Sequence, residues 1–192
     1  MTLLVLGLIV FFGVHLVPTS EPARAGLVAR LGENGYKIAF SIASLIGFVI
    51  AVTGFVNVHG TNANVQLWTP PVWGKHLAYT LMLPAFILLV AAYTPSRIRD
   101  AAKHPMLAAV KIWALAHLLA NGDLAGLILF GSFLAWAVYD RISLKRRNAR
   151  GPLGDRRGGG VNDVVVVAVG ALLWAGFLFG AHRLLFGIPL LG

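Results

Sequence analysis

The sequence predicts an all-α fold: a polytopic membrane bundle of about six transmembrane helices, with both termini outside. Three observations predict it. Of the 192 residues, 58% are hydrophobic and only 12% are charged, about half the charged share of a soluble domain. The apolar residues gather in long runs with hardly a charge in them, of the length that crosses a bilayer core of about 30 Å. The basic residues fall in alternate gaps between those runs, the pattern of the positive-inside rule.

The first run covers about residues 2–17, the second 38–58 and the third 76–93. Pro84 lies inside the third, a position that membrane helices tolerate with a kink. The fourth run, 106–120, and the fifth, 124–139, are short and joined only by Asn121-Gly122-Asp123. They read as a tight helical hairpin: Gly122 permits positive φ, and Asp123 can cap the next helix. The last run spans 164–186, with a GxxxG step at Gly176 and Gly180 that reads as helix packing. Residues 1–192 thus form a single integral-membrane domain, with a Gly/Arg-rich flexible cytoplasmic loop at about 141–160.

The gap after run one holds Arg24, Arg30 and Lys37, and the gap after run three holds Arg97, Arg99 and Lys103. The gap after run five is richest, with Arg141, Lys145, Arg146, Arg147, Arg150, Arg156 and Arg157. The other gaps and the tail hold Lys75 and Arg183. The net charge of +9 therefore reads as a topology signal, and the partner is a lipid bilayer, with no nucleic acid. Ala23-Arg24-Ala25 resembles a signal-peptidase site, but Met1-Thr2-Leu3-Leu4 carries no basic residue. Cleavage would also place the richest basic gap outside, so run one is kept as a helix. Trp68, Trp73 and Tyr79 suit a membrane interface. With no cysteine, the chain has no disulfide, thiolate ligand or covalent haem attachment.

Six histidines carry the chemistry that the sequence offers: His15, His59, His76, His104, His117 and His182. An ionisable group inside a span is costly to bury without a partner, which makes each an interhelical hydrogen bond or a ligand. His117 is the deepest, in the stretch KIWALAHLLANGD at 111–123. Trp113, His117 and Asn121 recur every four residues and share one helix face. Trp113, Asn121, His59 and His104 are the supporting residues around such a ligand. At about 1.5 Å per residue, His117 falls in the outer half of its span, with His59 and His76. His15 falls in the inner half of its own, and His182 ends the last span near the outer face. Imidazole suits zinc, copper or haem iron. Without an HExxH motif or a carboxylate cluster, haem b between histidines fits better than hydrolytic zinc.

His104-Pro105-Met106 and the run from Trp113 to Asp123 resemble the core motif of the NnrU family. So do His15, Gly32-Glu33-Asn34-Gly35-Tyr36, and the segment from Trp68 to His76. The resemblance covers nearly the whole chain. It implies a multi-pass protein of the bacterial inner (cytoplasmic) membrane, associated with denitrification and so with nitrite and nitric oxide. It implies either a haem-dependent isomerase or redox protein, or a non-enzymatic partner of nitrite or nitric oxide reductase components. The family is related to the zeta-carotene isomerases, whose haem b ligands match His117 and His15. The isomerases also carry a cysteine three residues before the first of these, where this chain has Ala114. A histidine-for-cysteine exchange at iron therefore cannot operate here. Depth leaves His76 as the rival of His15 for the second iron ligand.

Overall fold

The computed structural model describes residues 1–149, 154, 156 and 158–191. Its helices are α1 (Thr2–Leu16), α2 (Glu21–Val58), α3 (Val72–Ala91), α4 (Arg97–Ala102), α5 (Pro105–Ala120), α6 (Leu124–Arg146), α7 (Gly160–Gly176) and α8 (His182–Phe186). A 3-10 turn (Val17–Thr19) follows α1, and a π turn (Phe177–Ala181) joins α7 to α8. Five helical segments are long and apolar enough to cross a membrane, and α5 is a shorter apolar helix. The polytopic helical bundle is the fold that the apolar runs predict. Side chains such as Leu172 (72% exposed) and Leu184 (86%) face outward, as they do where the solvent is lipid.

The chain groups into two compact units: residues 1–67 with 123–132, and residues 68–122 with 133–192. In the first unit, α1 and α2 pack antiparallel along a seam of small residues. Gly7 lies against the backbone of Ala51, Gly54 against that of Leu4, and Gly47 against that of Phe11. A methyl group at Gly47 would stand 2.6 Å from the Phe11 amide nitrogen. Without a hydrophobic drive between helices in lipid, such close backbone contact is a main source of packing energy.

The stretch after run one, expected as a loop, is helical. Ser20 is extended, Pro22 sits in the first turn of α2, and the helix continues to a kink at Gly32 (φ 71°, ψ 164°). That φ suits glycine alone. Arg24 bridges the kink, with Nη2 donating to Glu33 at 2.8 and 3.0 Å and the guanidinium 5.4 Å over the Tyr36 ring. α2 thus carries the basic gap as its first turns, and Glu33 to Tyr36 lie beyond the bend.

The connection into α6 also differs in cause from the expectation. Among the described glycines, positive φ is used at Gly32, Gly60, Gly154 and Gly187, not at Gly122. Asn121 is extended instead, and residues 121–124 run beside residues 65–68. The Trp68 amide donates to the Gly122 carbonyl at 3.0 Å, and the Leu124 amide donates to the Val65 carbonyl at 2.9 Å. Asp123 does cap α6: its Oδ1 accepts from the Gly126 amide at 2.8 Å and from Asn64 Nδ2 at 2.9 Å. Asn64 Oδ1 in turn accepts from the Ala125 amide at 2.9 Å.

In the second unit, α3 is the central helix. Gly74 meets α5, where an added methyl would stand 2.6 Å from the Leu119 carbonyl oxygen. Ile87 meets Gly170 of α7, and the Trp174 indole donates to the Tyr79 carbonyl at 2.8 Å. Pro84 sits inside α3 without ending it. Below α3, Asp163 Oδ1 accepts from the Arg97 amide at 2.7 Å, and the buried Arg99 guanidinium donates to the Gly154 and Arg156 carbonyls. Residues 150–153, 155 and 157 of the expected Gly/Arg-rich loop lie outside the described residues, while 141–146 extend α6. The GxxxG glycines Gly176 and Gly180 meet nothing within 4 Å among the described residues. The tight contact of this segment falls at Gly170 instead.

Candidate functional site

His117 stands one turn before the end of α5. Its Nδ1–H donates to the Trp113 carbonyl oxygen at 2.8 Å, and the Trp113 ring centroid lies 5.2 Å from its own. A carbonyl oxygen only accepts, so Nδ1 carries the proton and neutral Nε2 holds the lone pair. This is the orientation in which histidine binds a metal through Nε2, with a carbonyl fixing the ring. The bond is local: residue i−4 of a helix lies directly beneath residue i, and the Trp113 oxygen has a second lone pair for the helix ladder.

Below the ring, the end of α5 is tied twice. The Asn121 amide and Asn121 Nδ2 both donate to the His117 carbonyl, at 2.9 and 2.8 Å. Asn121 therefore holds the backbone of His117 through its carbonyl oxygen. Trp113 is itself braced, meeting Phe133 of α6 edge-on at 5.3 Å, and Ala114 and Ala116 are fully buried.

His15, in the first unit, repeats the arrangement. Its Nδ1–H donates to the Phe11 carbonyl at 2.8 Å, and its ring stacks on Phe11 with centroids 4.0 Å apart. Phe40 flanks it at 5.0 Å. His15 and His117 thus share one local design: an aromatic residue four positions earlier, whose carbonyl sets the ring and whose side chain backs it.

The other predicted residues are placed differently. His76 lies in the second turn of α3 on its exposed side, 6.5 Å from the Tyr79 ring. Gly74, two residues earlier, faces α5; two residues turn a helix by about 200°, so His76 points away from α5. His59 is exposed at the end of α2, 5.7 Å from the Phe55 ring. His104 precedes α5, half-buried. Burial, and next the nearby Arg141, hold its imidazole below the ordinary histidine value.

Sequence reasoning placed His182 at the outer end of the last span and gave it no role. It is half-buried in the second unit. Its Nδ1–H donates to the Ile188 carbonyl at 2.8 Å. No aromatic residue precedes it by four, so the spacing that marks the other two is missing. The bond is made by a turn: Gly187 takes the left-handed conformation (φ 73°, ψ 0°) and brings Ile188 back over the helix end. The sequence signal was the glycine just after the last apolar run, a helix-end mark. Among the described residues there is no group of three or more His, Asp or Glu side chains fit to hold a metal ion.

A family model described as NnrU protein matches residues 3–190. No curated protein and no solved structure matches the chain.

Proposed function

The chain belongs to the NnrU family, and from that premise we propose that it is a haem b-binding membrane protein with His117 as an iron ligand. The observation that carries the reading is the Nδ1–H bond from His117 to the Trp113 carbonyl, which fixes the ring's tautomer with the lone pair on Nε2. The donor chemistry fits: neutral imidazole is the common ligand of b-type haem. His15, set in the same way by Phe11, is the second ligand that the resemblance implies. Haem, when bound, supplies one-electron chemistry and binding of diatomic gases. The residues of this chain orient the rings, fix their tautomers and shield them with aromatic faces. The setting we infer is the inner membrane of a bacterium that reduces nitrite and nitric oxide. Action on a hydrophobic substrate, in the manner of the isomerase relatives, would proceed without a thiolate ligand, since the matching position is Ala114.

Absorbance of the purified protein, expressed with ample haem, tests the reading. A Soret band that is lost or shifted in His117→Ala is expected. A wild-type protein with no Soret band refutes it.

A second reading, a membrane partner in the assembly or regulation of nitrite or nitric oxide reductases, draws on Gly176 and Gly180. Their faces are open among the described residues, and a GxxxG face admits the backbone of another helix. Co-purification with a reductase subunit from a protein that carries no chromophore would favour it.

A further inference from the structure

At the end of the second unit that the basic gaps assign to the cytoplasm, the ion pairs leave several cations unused. Asp163 accepts from the Arg97 and Ile98 amides at 2.7 and 3.4 Å and stands 3.9 Å from Arg97 Nε. Asp100 lies 3.5 Å from Arg99 Nη1, and Arg147 Nε donates to Ser143 Oγ at 3.3 Å. Lys103, Arg141 and Lys145 form no ion pair among the described residues. Asp140, directly before Arg141, offsets one of these charges.

The register of α5 against α6 brings the three cations to one place within the unit. Trp113 meets Phe133 with ring centroids 5.3 Å apart. Eight residues back along α5 from Trp113 is Pro105, and eight on along α6 from Phe133 is Arg141. Antiparallel helices climb at the same rate of about 1.5 Å per residue, so Arg141 stands level with the start of α5. Its charge acts on His104, as this register requires. α6 continues to Arg146 and so overhangs α5, with Lys145 about 6 Å beyond Arg141, at the level of the turn that enters α5. That turn is built on Lys103. Its backbone sits at φ 61°, ψ −45°, and the His104 amide donates to the Ala102 carbonyl at 2.7 Å. This is the strained form of the γ-turn, which glycine adopts without strain. A lysine there keeps an exposed cation at the step.

Below the cations, the same side of α6 is apolar. Lys145 follows Arg141 by four residues, Ile142 by three and Val138 by seven, so the four share one side of the helix. Val138 and Ile142 are 44% and 47% exposed. The apolar run of α6 closes at Tyr139, so Arg141 and Lys145 rise about 3–9 Å above the hydrocarbon edge. The headgroup layer on each side of a bilayer is about 5–7 Å deep. Cations at phosphate depth over an open apolar wall match an anionic phospholipid in charge, depth and polarity. We propose that Lys103, Arg141 and Lys145 hold the phosphate of an anionic phospholipid whose acyl chain lies on Val138 and Ile142. This site is independent of the haem reading.

The experiment titrates the full chain, in neutral detergent, with a fluorescent phosphatidylglycerol. Unlabelled phosphatidylcholine and inorganic phosphate serve as competitors, and neither is expected to displace the probe at equal concentration. Each cation removed near an anionic headgroup weakens binding about fivefold. Arg141→Gln combined with Lys145→Gln is therefore expected to weaken it about 25-fold. Lys103→Gly is expected to weaken binding about fivefold while raising the melting temperature, because glycine relieves the γ-turn; a loss of binding in a more stable protein is not a loss of fold. Arg30→Gln combined with Lys37→Gln removes as much charge from another basic gap and is expected to leave binding unchanged. An equal loss in that control assigns the effect to net charge and overturns the site. Binding unchanged in the Arg141 and Lys145 variant overturns it too. So does displacement of the probe by phosphatidylcholine, or by inorganic phosphate, which would mark a site for free anions.

Discussion

Asp123 is 7% exposed and accepts two hydrogen bonds through one oxygen, from the Gly126 amide at 2.8 Å and Asn64 Nδ2 at 2.9 Å. Asp123→Ala removes the cap of α6, which costs about 0.5–2 kcal/mol. It also leaves the Asn64 donor without its carboxylate in a half-buried place, a further cost of about 1–3 kcal/mol. Asn64 is tied to the Ala125 amide through its other atom, so it cannot swing out freely to recover a partner. The two costs share the same residues and do not simply add; a net loss of about 2–4 kcal/mol is expected. Asp123→Asn keeps an acceptor oxygen for the Gly126 amide and should lose less than half as much. The assay is reversible unfolding in mixed micelles, followed by far-ultraviolet circular dichroism. An Asp123→Ala protein within 0.5 kcal/mol of wild type would refute the cap as a structural element. Equal losses in the alanine and asparagine variants would instead assign the effect to charge.

Two further outcomes are expected. Gly54→Leu sets a side chain against the Leu4 backbone and should separate α1 from α2; a cysteine pair placed across the seam should then cross-link poorly, whereas Gly176→Leu, in open space, should leave it intact. The His104 imidazole should titrate below the ordinary 6.5, because burial and then Arg141 disfavour its charged form. The sign follows from the depressed value: the contribution of neutral His104 to stability is present above the ordinary value and is lost as pH falls through the folded one. Carbon-13 resonance of labelled histidine should show this, with Arg141→Gln raising the midpoint only partway, since burial remains. A midpoint at or above 6.5 in the wild type would contradict the placement.

The spans were legible because hydropathy and alternating charge report the solvent directly, and the lipid demand on backbone polar groups leaves helix as the main option. The ends were less so. Arg24 and Arg30 marked a cytoplasmic gap, yet Ser20, Pro22 and the Arg24–Glu33 pair build a helix there, and only Gly32 bends. Charge specifies which side of the membrane a segment occupies and leaves its backbone open. Small-residue seams were harder still. Gly176 and Gly180 have the conspicuous spacing, while Gly7, Gly47 and Gly54 make the close contacts in the first unit. A glycine packs when another helix arrives at its face, and one sequence does not say which faces meet.

The same limit governs the histidines. Phe11 before His15 and Trp113 before His117 share a four-residue spacing, and four residues along a helix is a contact set by local geometry alone. That part of the site is written in order along the chain, and reading it requires only the helix. His182 takes its carbonyl from Ile188 through a left-handed glycine, after a π turn that rotates its helix end. Neither event has a periodic signature. Depth was the available guide: counting from the basic gaps puts His182 and His117 near the outer ends of their spans and His15 near the inner end of its own. A flat macrocycle clasped on both faces needs its two nitrogens at one level, or steeply tilted helices. Depth therefore weighs more than spacing in choosing a partner for His117.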